Sequence, residues 1–458
     1  MLHDSGKKLA CLSALSMPIW GVSPTAVRAD ELMIMHRRHT SGVLAVLVSG
    51  ASALSVSANG FLLDDQDAFA TARGGAFVAT ADDASAVYYN PAGITQLAGY
   101  NFRGGLYGLY YDPTYTPPAP RNTNTFHIEN RWAAVPQFFA TYTPKDWPVS
   151  FGLGLYSPYG GKMSWPQNTG FRMDAISGSL TYETINPVVA LKLAPGLSIA
   201  GGVMVNYADL EMDQGLLPSE MPRTNFFRFD GNGWSVGYNL GLLWQPHEKV
   251  SLGATFRSTA TVRLDGHTEF ERQPLPGYFP ATNRVAHEDL TFPLNVVVGI
   301  SYRPTPKWNL EFDADYTDWS SFGTMALYQQ PPLPSGMLTN TPVRLEWQPS
   351  WIYEFGVTRY FDNGWHVSVG YAYDENSVPN TYYSPLAADL DRHFFSLGAG
   401  HKGRRFDFDI TYQFGYGPAY TVTGSQPSST PIRFSGQNAD GKYDFISHTV
   451  MLTVGMHF

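Results

Sequence analysis

Residues 406–416 read FDFDITYQFGY. Phe406, Phe408, Ile410, Tyr412, Phe414 and Tyr416 fall on one face of an extended chain, and Asp407, Asp409, Thr411, Gln413 and Gly415 on the other. Such a sustained period of two reads as a strand, because successive side chains of extended backbone point to opposite faces. The apolar face is too aromatic for solvent and the polar face too charged for a sandwich core. A strand with lipid outside and a polar lumen inside satisfies both.

The alternation recurs. Trp234, Val236, Tyr238, Leu240, Leu242 and Trp244 alternate with Ser235, Gly237, Asn239, Gly241 and Leu243, with a Trp near each end, where aromatic residues favour the membrane interfaces. Trp308, Leu310, Phe312, Ala314 and Tyr316 alternate with Asn309, Glu311, Asp313, Asp315 and Thr317, and the acids are expected to sit on a solvated lumenal face. Counting such runs gives fourteen candidate strands between Tyr100 and Phe458, an even number as in single-chain bacterial outer-membrane barrels. Connections alternate between short ones, such as 144–148, 194–196 and 362–364, and long ones, such as 112–134, 157–178 and 320–350. The prediction is an all-β, 14-stranded antiparallel transmembrane β-barrel over residues 99–458, with periplasmic turns and extracellular loops.

Composition agrees. The 458 residues are 43% hydrophobic and 14% aromatic but only 15% charged. Outside the leader no apolar run approaches the roughly 20 residues that a membrane helix needs. The leader comprises a basic Met35-His36-Arg37-Arg38-His39, the apolar stretch GVLAVLVSGASAL at 42–54 and small residues Val56-Ser57-Ala58, so the mature chain is expected to begin at Asn59. Residues 1–34 carry a weaker signal-like stretch, and Met33 or Met35 is read as the true start. Cleavage would remove Cys11, the only cysteine, leaving no disulfide framework. It would also remove five Lys/Arg and three Asp/Glu, taking the formal charge from −9 to about −11. Nucleic acid is thereby excluded as a partner, whereas outer-membrane lipid and lipopolysaccharide are expected neighbours. Val450, Leu452, Val454, Met456 and Phe458 alternate to a terminal aromatic, which resembles the signal read by the outer-membrane assembly machinery.

Residues 59–97, NGFLLDDQDAFATARGGAFVATADDASAVYYNPAGITQL, differ in kind. They are rich in Ala, Gly and Asp and have no long alternating run. A barrel of about eight strands fills its own interior and one of about sixteen leaves a water channel. Fourteen strands would therefore leak, and residues 59–98 are read as a plug, or hatch, inside the lumen.

The hatch carries Asn59-Gly60-Phe61, Ala72-Arg73-Gly74-Gly75-Ala76 and, near its end, DDASAVYYNPAG at 82–93. With Tyr182-Glu183-Thr184-Ile185-Asn186-Pro187, Tyr316-Thr317-Asp318-Trp319 and Asp389-Leu390-Asp391-Arg392, it resembles the FadL/TodX family of outer-membrane transporters for hydrophobic compounds over nearly all of 59–458. The resemblance implies a hydrophobic small-molecule substrate, either long-chain fatty acids or aromatic hydrocarbons, moved passively with no cofactor. It also implies a pocket at the hatch N-terminus, with Asn59 and Phe61 as ligand-facing residues and Asn90, Pro91 and Ala92 as the anchor. A kink in the third strand, here Val149 to Tyr156 with Phe151, would open a lateral exit, and Gly152 and Gly154 are where it costs least. Arg172, Arg392 and His393 are candidate cations for a carboxylate head group. Apolar residues at 216–218, 226–227 and 329–338 are expected to capture solute from outside.

Chemical motifs are weak. Gly233-Trp234-Ser235-Val236-Gly237 matches the nucleophile pattern G-x-S-x-G, but inside a strand rather than at a strand-to-helix turn. His247-Glu248 lacks the second histidine of a zinc-protease helix. Neither a catalytic residue nor a metal site is assigned. The alternatives to transport are an outer-membrane lipase-like enzyme, a general porin, and a structural or adhesive barrel; the last two would not need a hatch.

Overall fold

The computed structural model describes residues 59–119, 124–215, 226–270, 282–330, 342–426 and 437–458. The leader with Cys11, and the loop residues 216–218 and 331–338, lie outside them. Fourteen wall strands form a closed antiparallel barrel. In chain order they are Gly99–Thr116, Trp132–Thr143, Val149–Tyr156, Ser177–Ala194, Leu197–Gly215, Phe226–His247, Val250–Arg257 continued by Ala260–Phe270, Thr282–Phe292 continued by Asn295–Thr305, Trp308–Thr317, Ser350–Tyr360, Trp365–Asp374, Arg392–Lys402, Phe406–Val422 and Gly441–His457. Each pairs with its sequence neighbours, and the first pairs with the last from Asn101 opposite His457 to Thr116 opposite Lys442, which closes the wall.

Along 406–416 the burial pattern follows the predicted faces: Phe406, Phe408, Ile410 and Tyr412 point outward, while Asp409, Thr411 and Gln413 are buried. Outward tryptophans form two girdles. Trp147, Trp244, Trp308 and Trp365 stand beside the short turns, and Trp132, Trp234 and Trp351 toward the long loops. That is the distribution expected where indole rings mark both interfaces.

Several strands run further than alternation alone indicated. The sixth, whose alternation starts at Trp234, begins at Phe226, because its outer residues are held by pairing with the fifth strand as far as Gly215. Strands seven and eight are each interrupted, at Ser258-Thr259 and at Pro293-Leu294.

Residues 59–97 fill the lumen with short helical turns. Asp67 caps Ala68–Thr71 by accepting from the Phe69 amide, Ala86–Tyr89 follows, and Asn90 caps the 3-10 turn Pro91–Gln96 with Pro91 at its first position, where the missing N–H costs nothing. The expectation that Glu311, Asp313 and Asp315 face lumenal water is corrected. All are buried, and the first two accept hydrogen bonds from hatch backbone. The plug takes the place of the water the sequence seemed to require.

Candidate functional site

The body of the hatch is bolted to the wall by charge. Asp313 Oδ2 accepts from the Phe77 and Val78 amides at 2.7 and 2.8 Å, and Glu311 Oε1 from those of Ala79 and Thr80 at 2.8 and 3.0 Å. Arg73 Nη2 reaches Glu311 at 2.7 Å with both side chains fully buried. On another side of the lumen, Arg103 of the first strand binds Asp67 through Nε at 2.5 Å and Asp409 through Nη2 at 2.7 Å, and His366 contacts Asp409 at 2.6 Å. Charges buried this far from water persist only when paired and hydrogen-bonded.

The Asn-Pro-Ala segment joins hatch and wall. Asn90 Nδ2 donates to the carbonyls of Val78 in the hatch and Leu242 in the sixth strand at 2.8 and 2.9 Å, and its Oδ1 accepts from the Ala92 amide at 3.1 Å. Gly241 admits this contact: a Cβ there would lie 2.6 Å from Asn90 Oδ1. Pro91 and Ala92 are buried beside it.

The tip is held differently. Asn59 adopts a left-handed φ of 59°, and its Oδ1 accepts from Ser350 Oγ at 2.6 Å and from Trp319 Nε1. Gly60, at φ 68°, lies so close to the indoles of Trp319 and Trp347 that a Cβ would come within 2.8 Å of both. Phe61 sits among Trp319, Phe322 and Trp347, with ring centroids 6.4, 6.2 and 5.3 Å away. The cluster continues through Tyr159, 6.0 Å from Trp319, to Phe292 and Tyr182. Offset and edge-on aromatic packing of this kind suits an apolar solute as well as it suits itself.

The third strand meets the tip directly. Its ladder with the second strand runs only from Tyr142 opposite Phe151 to Phe138 opposite Leu155. Past Tyr156 the chain turns inward: Leu63 N donates to Pro158 O and Gly160 N to Phe61 O, both at 2.9 Å, and Gln66 Nε2 donates to Ser157 O at 2.8 Å. Pairing with the second strand therefore ends at Leu155, past the glycines, and pairing with the fourth strand resumes at Gly160 opposite Thr181. Pairing with the fourth strand is regular through Gly152 and Gly154. A Cβ at either would strike Val87 of the hatch within 2.9 Å, so these glycines admit the plug. Phe151 points outward and is half-exposed on the lipid face rather than lining the lumen.

The candidate cations are dispersed. Arg392 is buried, its guanidinium 3.9 Å from the Phe445 ring centroid and its Nη2 donating to Ala388 O at 3.3 Å. It connects to the tip through Asp389, whose Oδ2 accepts from the Gly60 amide at 3.3 Å and from Ser377. Burial raises the Asp389 carboxyl above its usual range, with Arg392 opposing the shift. Arg172 lies apart, bonded to Gln167 at 3.1 Å, and His393 to the Tyr371 hydroxyl at 2.9 Å. Sequence reasoning missed Trp319, Phe322, Trp347 and Tyr159 as neighbours of Phe61. Tyr159 follows the third strand, while Trp319, Phe322 and Trp347 sit at the two ends of the long connection between the ninth and tenth strands, and only Trp319 carried a local signal, at the end of Tyr316-Thr317-Asp318-Trp319.

Beneath the tip, Asp65 lies beside Asp64, and burial first, then that neighbouring charge, pushes its carboxyl up to about 8. The space left there, against Leu62, Ile352 and Phe394, is about 10 Å³, enough for a water but not a solute. Ser235 lies inside the wall, bonded to Asn206 at 3.4 Å, away from the lipid face where a lipase nucleophile would be needed.

A closed barrel with an apolar, girdled exterior and a lumen plugged by its own N-terminal segment defines a plugged outer-membrane barrel. Residues 49–458 match the family model described as "Outer membrane protein transport protein (OMPP1/FadL/TodX)", and the chain belongs to that family of transporters. A long-chain fatty acid transport protein of Salmonella typhi is 25% identical over 412 residues, covering 82% of this chain and 92% of that protein. The crystal structure of a Pseudomonas aeruginosa FadL homologue superposes with a TM-score of 0.76 at 19% identity, over 87% of this chain and all of that one. The Pseudomonas putida toluene transporter TodX does so with a TM-score of 0.63 at 13% identity, over 89% of this chain and 100% of the other. At such identities the superpositions speak for the fold.

Proposed function

We propose that the chain carries apolar small molecules, long-chain fatty acids or aromatic hydrocarbons, passively across the outer membrane, with the aromatic cluster at Phe61 as the binding site. The observation that carries this is the meeting of three elements there: the hatch tip, the ring cluster, and the inward turn of the third strand. A solute in that cluster stands beside the end of that strand's pairing with the second. The cluster is closed by the protein's own side chains, so Phe61 must give way for a solute to enter. The tip at 59–63 is the part that moves, while Asn90, Pro91 and Ala92 keep the rest of the hatch in place.

Burial of each methylene contributes about 0.8 kcal/mol, so a long acyl chain in this cluster would be retained unless the site deformed. Tip motion supplies that deformation without an energy source. Uptake of radiolabelled oleate and toluene, compared in cells with and without the protein, tests the proposal and selects the substrate. Equal uptake with and without it, for both compounds, would sink the proposal.

A further inference from the structure

We infer that the wall has a second lateral exit, between the sixth and seventh strands, where the outer face carries a groove that takes the leading end of the solute as it enters the bilayer. This rests on the transport reading above and names a further site for it. The ladder between these strands runs to Asn232 opposite Asp265 on the loop side and resumes at Asn239 opposite Arg257 on the turn side. Between them no ladder pairs are formed, although Gly233 stays against Arg263 and Gly237 against Ser258, and the registers on the two sides differ by one residue. Strand seven is interrupted at Ser258-Thr259 and strand eight at Pro293-Leu294, and the two breaks lie together, because Asn295 pairs with Arg257 on one side and Ala260 with Phe292 on the other.

Irregular backbone at membrane depth is costly unless its polar groups find partners in the protein or a cavity. Here they are met locally. Ser258 N donates to Tyr238 O at 2.9 Å, and Ser258 Oγ accepts from the Tyr238 amide at 2.9 Å. Pro293 has no N–H to satisfy, and its carbonyl accepts from the Tyr159 hydroxyl at 3.4 Å. The break is thus a built feature, stitched to the inward turn of the third strand.

The groove on the outer side is about 430 Å³ and is lined by Val203, Val236, Tyr238, Phe256 and Leu294, with Ser258 and Thr259 at the break. That volume is in the range of small-molecule sites. Val203, Val236 and Tyr238 belong to the lipid-facing band, so the groove opens on hydrocarbon and its occupant must be apolar. On the inner side stands the aromatic cluster. Phe292 packs on Tyr159 and Tyr182 at 5.0 and 4.2 Å, while Leu294, just past Pro293 in the same strand, lines the groove. A single residue, Pro293, separates the cluster from the outside at this point.

Thr259 is exposed at the groove, so Thr259→Trp fills it from the lipid side without entering the core, and Thr259→Val keeps its volume. Both variants are inserted in the outer membrane and checked for heat-modifiable barrel mobility before uptake of labelled oleate and toluene is measured. Thr259→Trp should lower uptake about twofold, as when one of two parallel exit steps is closed, with Thr259→Val at the parent level. Parent-level uptake by a folded Thr259→Trp overturns the second exit, and so does an equal loss in Thr259→Val, which would mark a structural effect. If the unaltered protein takes up neither compound, the transport reading itself falls, and this exit with it. As an independent readout, a diazirine-bearing fatty acid should label Val236, Tyr238 or Leu294 in the parent and lose that labelling in Thr259→Trp. Absence of label there in a transporting parent overturns the site.

Discussion

The body and the tip of the hatch are one continuous segment, yet they are held by opposite kinds of contact. From Asp67 to Gln96 the plug is fastened by buried ion pairs and by carboxylates accepting backbone amides. From Asn59 to Leu63 it is held by aromatic packing and by hydrogen bonds to loop and turn residues, Asp389 and Pro158 among them. Charge pairs in a dry lumen are specific in direction and expensive to break, whereas ring contacts tolerate sliding and substitution. In the transport mechanism proposed above, this contrast lets one segment seal the pore at one end and yield to a solute at the other.

The largest break in that contrast should come from Glu311→Ala. It strips the partner from a fully buried Arg73 and the acceptor from the Ala79 and Thr80 amides, a loss of about 3–5 kcal/mol. Thermal unfolding of the purified barrel should shift down, and cells should become sensitive to bulky antibiotics; an unmoved midpoint would mean that the body is fastened elsewhere. Asn90→Ala removes the bonds to Val78 and Leu242 and should cost about 1–3 kcal/mol. The expected outcome is leakage of small polar solutes, and unchanged detergent and antibiotic sensitivity would count against an anchoring role.

At the other end the effects should fall on transport rather than on sealing. Phe61→Ala removes the ring shared by Trp319, Phe322 and Trp347, and ligand binding should weaken about tenfold, or about 1.4 kcal/mol, with antibiotic sensitivity unchanged. A leak without loss of binding would reverse the assignment of tip and body. The smallest effect concerns pH. Asp65 titrates near 3.8 when unfolded and at about 8 in place, so the tip's hold is complete below the lower value and is lost as pH rises through the upper one. Hydrogen-exchange protection of the Gly60 and Leu62 amides, taken relative to their intrinsic exchange rates at each pH, should fall between pH 7 and 9, and Asp65→Asn should flatten that dependence.

The barrel was legible because its physics is local. A strand that separates lipid from a polar interior must alternate, so FDFDITYQFGY reveals its two faces without any knowledge of its neighbours. The glycines of the third strand show the limit. Gly152 and Gly154 suggest a kink by their conformational freedom, but their use is to admit Val87, a neighbour more than fifty residues away in the chain. The acids of the ninth strand show the same limit: alternation placed Glu311 and Asp313 correctly toward the lumen, but not against hatch amides.

The sequence by itself determined a plugged, lipid-spanning barrel and the segment that plugs it, because face alternation, loop lengths and composition are each written along one stretch of chain. Only the tertiary structure decided what the plug touches. The cluster around Phe61 draws on residues near 61, 159, 292, 319, 322 and 347, and the third strand turns inward beside it after Tyr156, past the glycines. Contacts between segments so far apart depend on barrel closure and register, which set every distance in the lumen and leave no periodic trace in the chain.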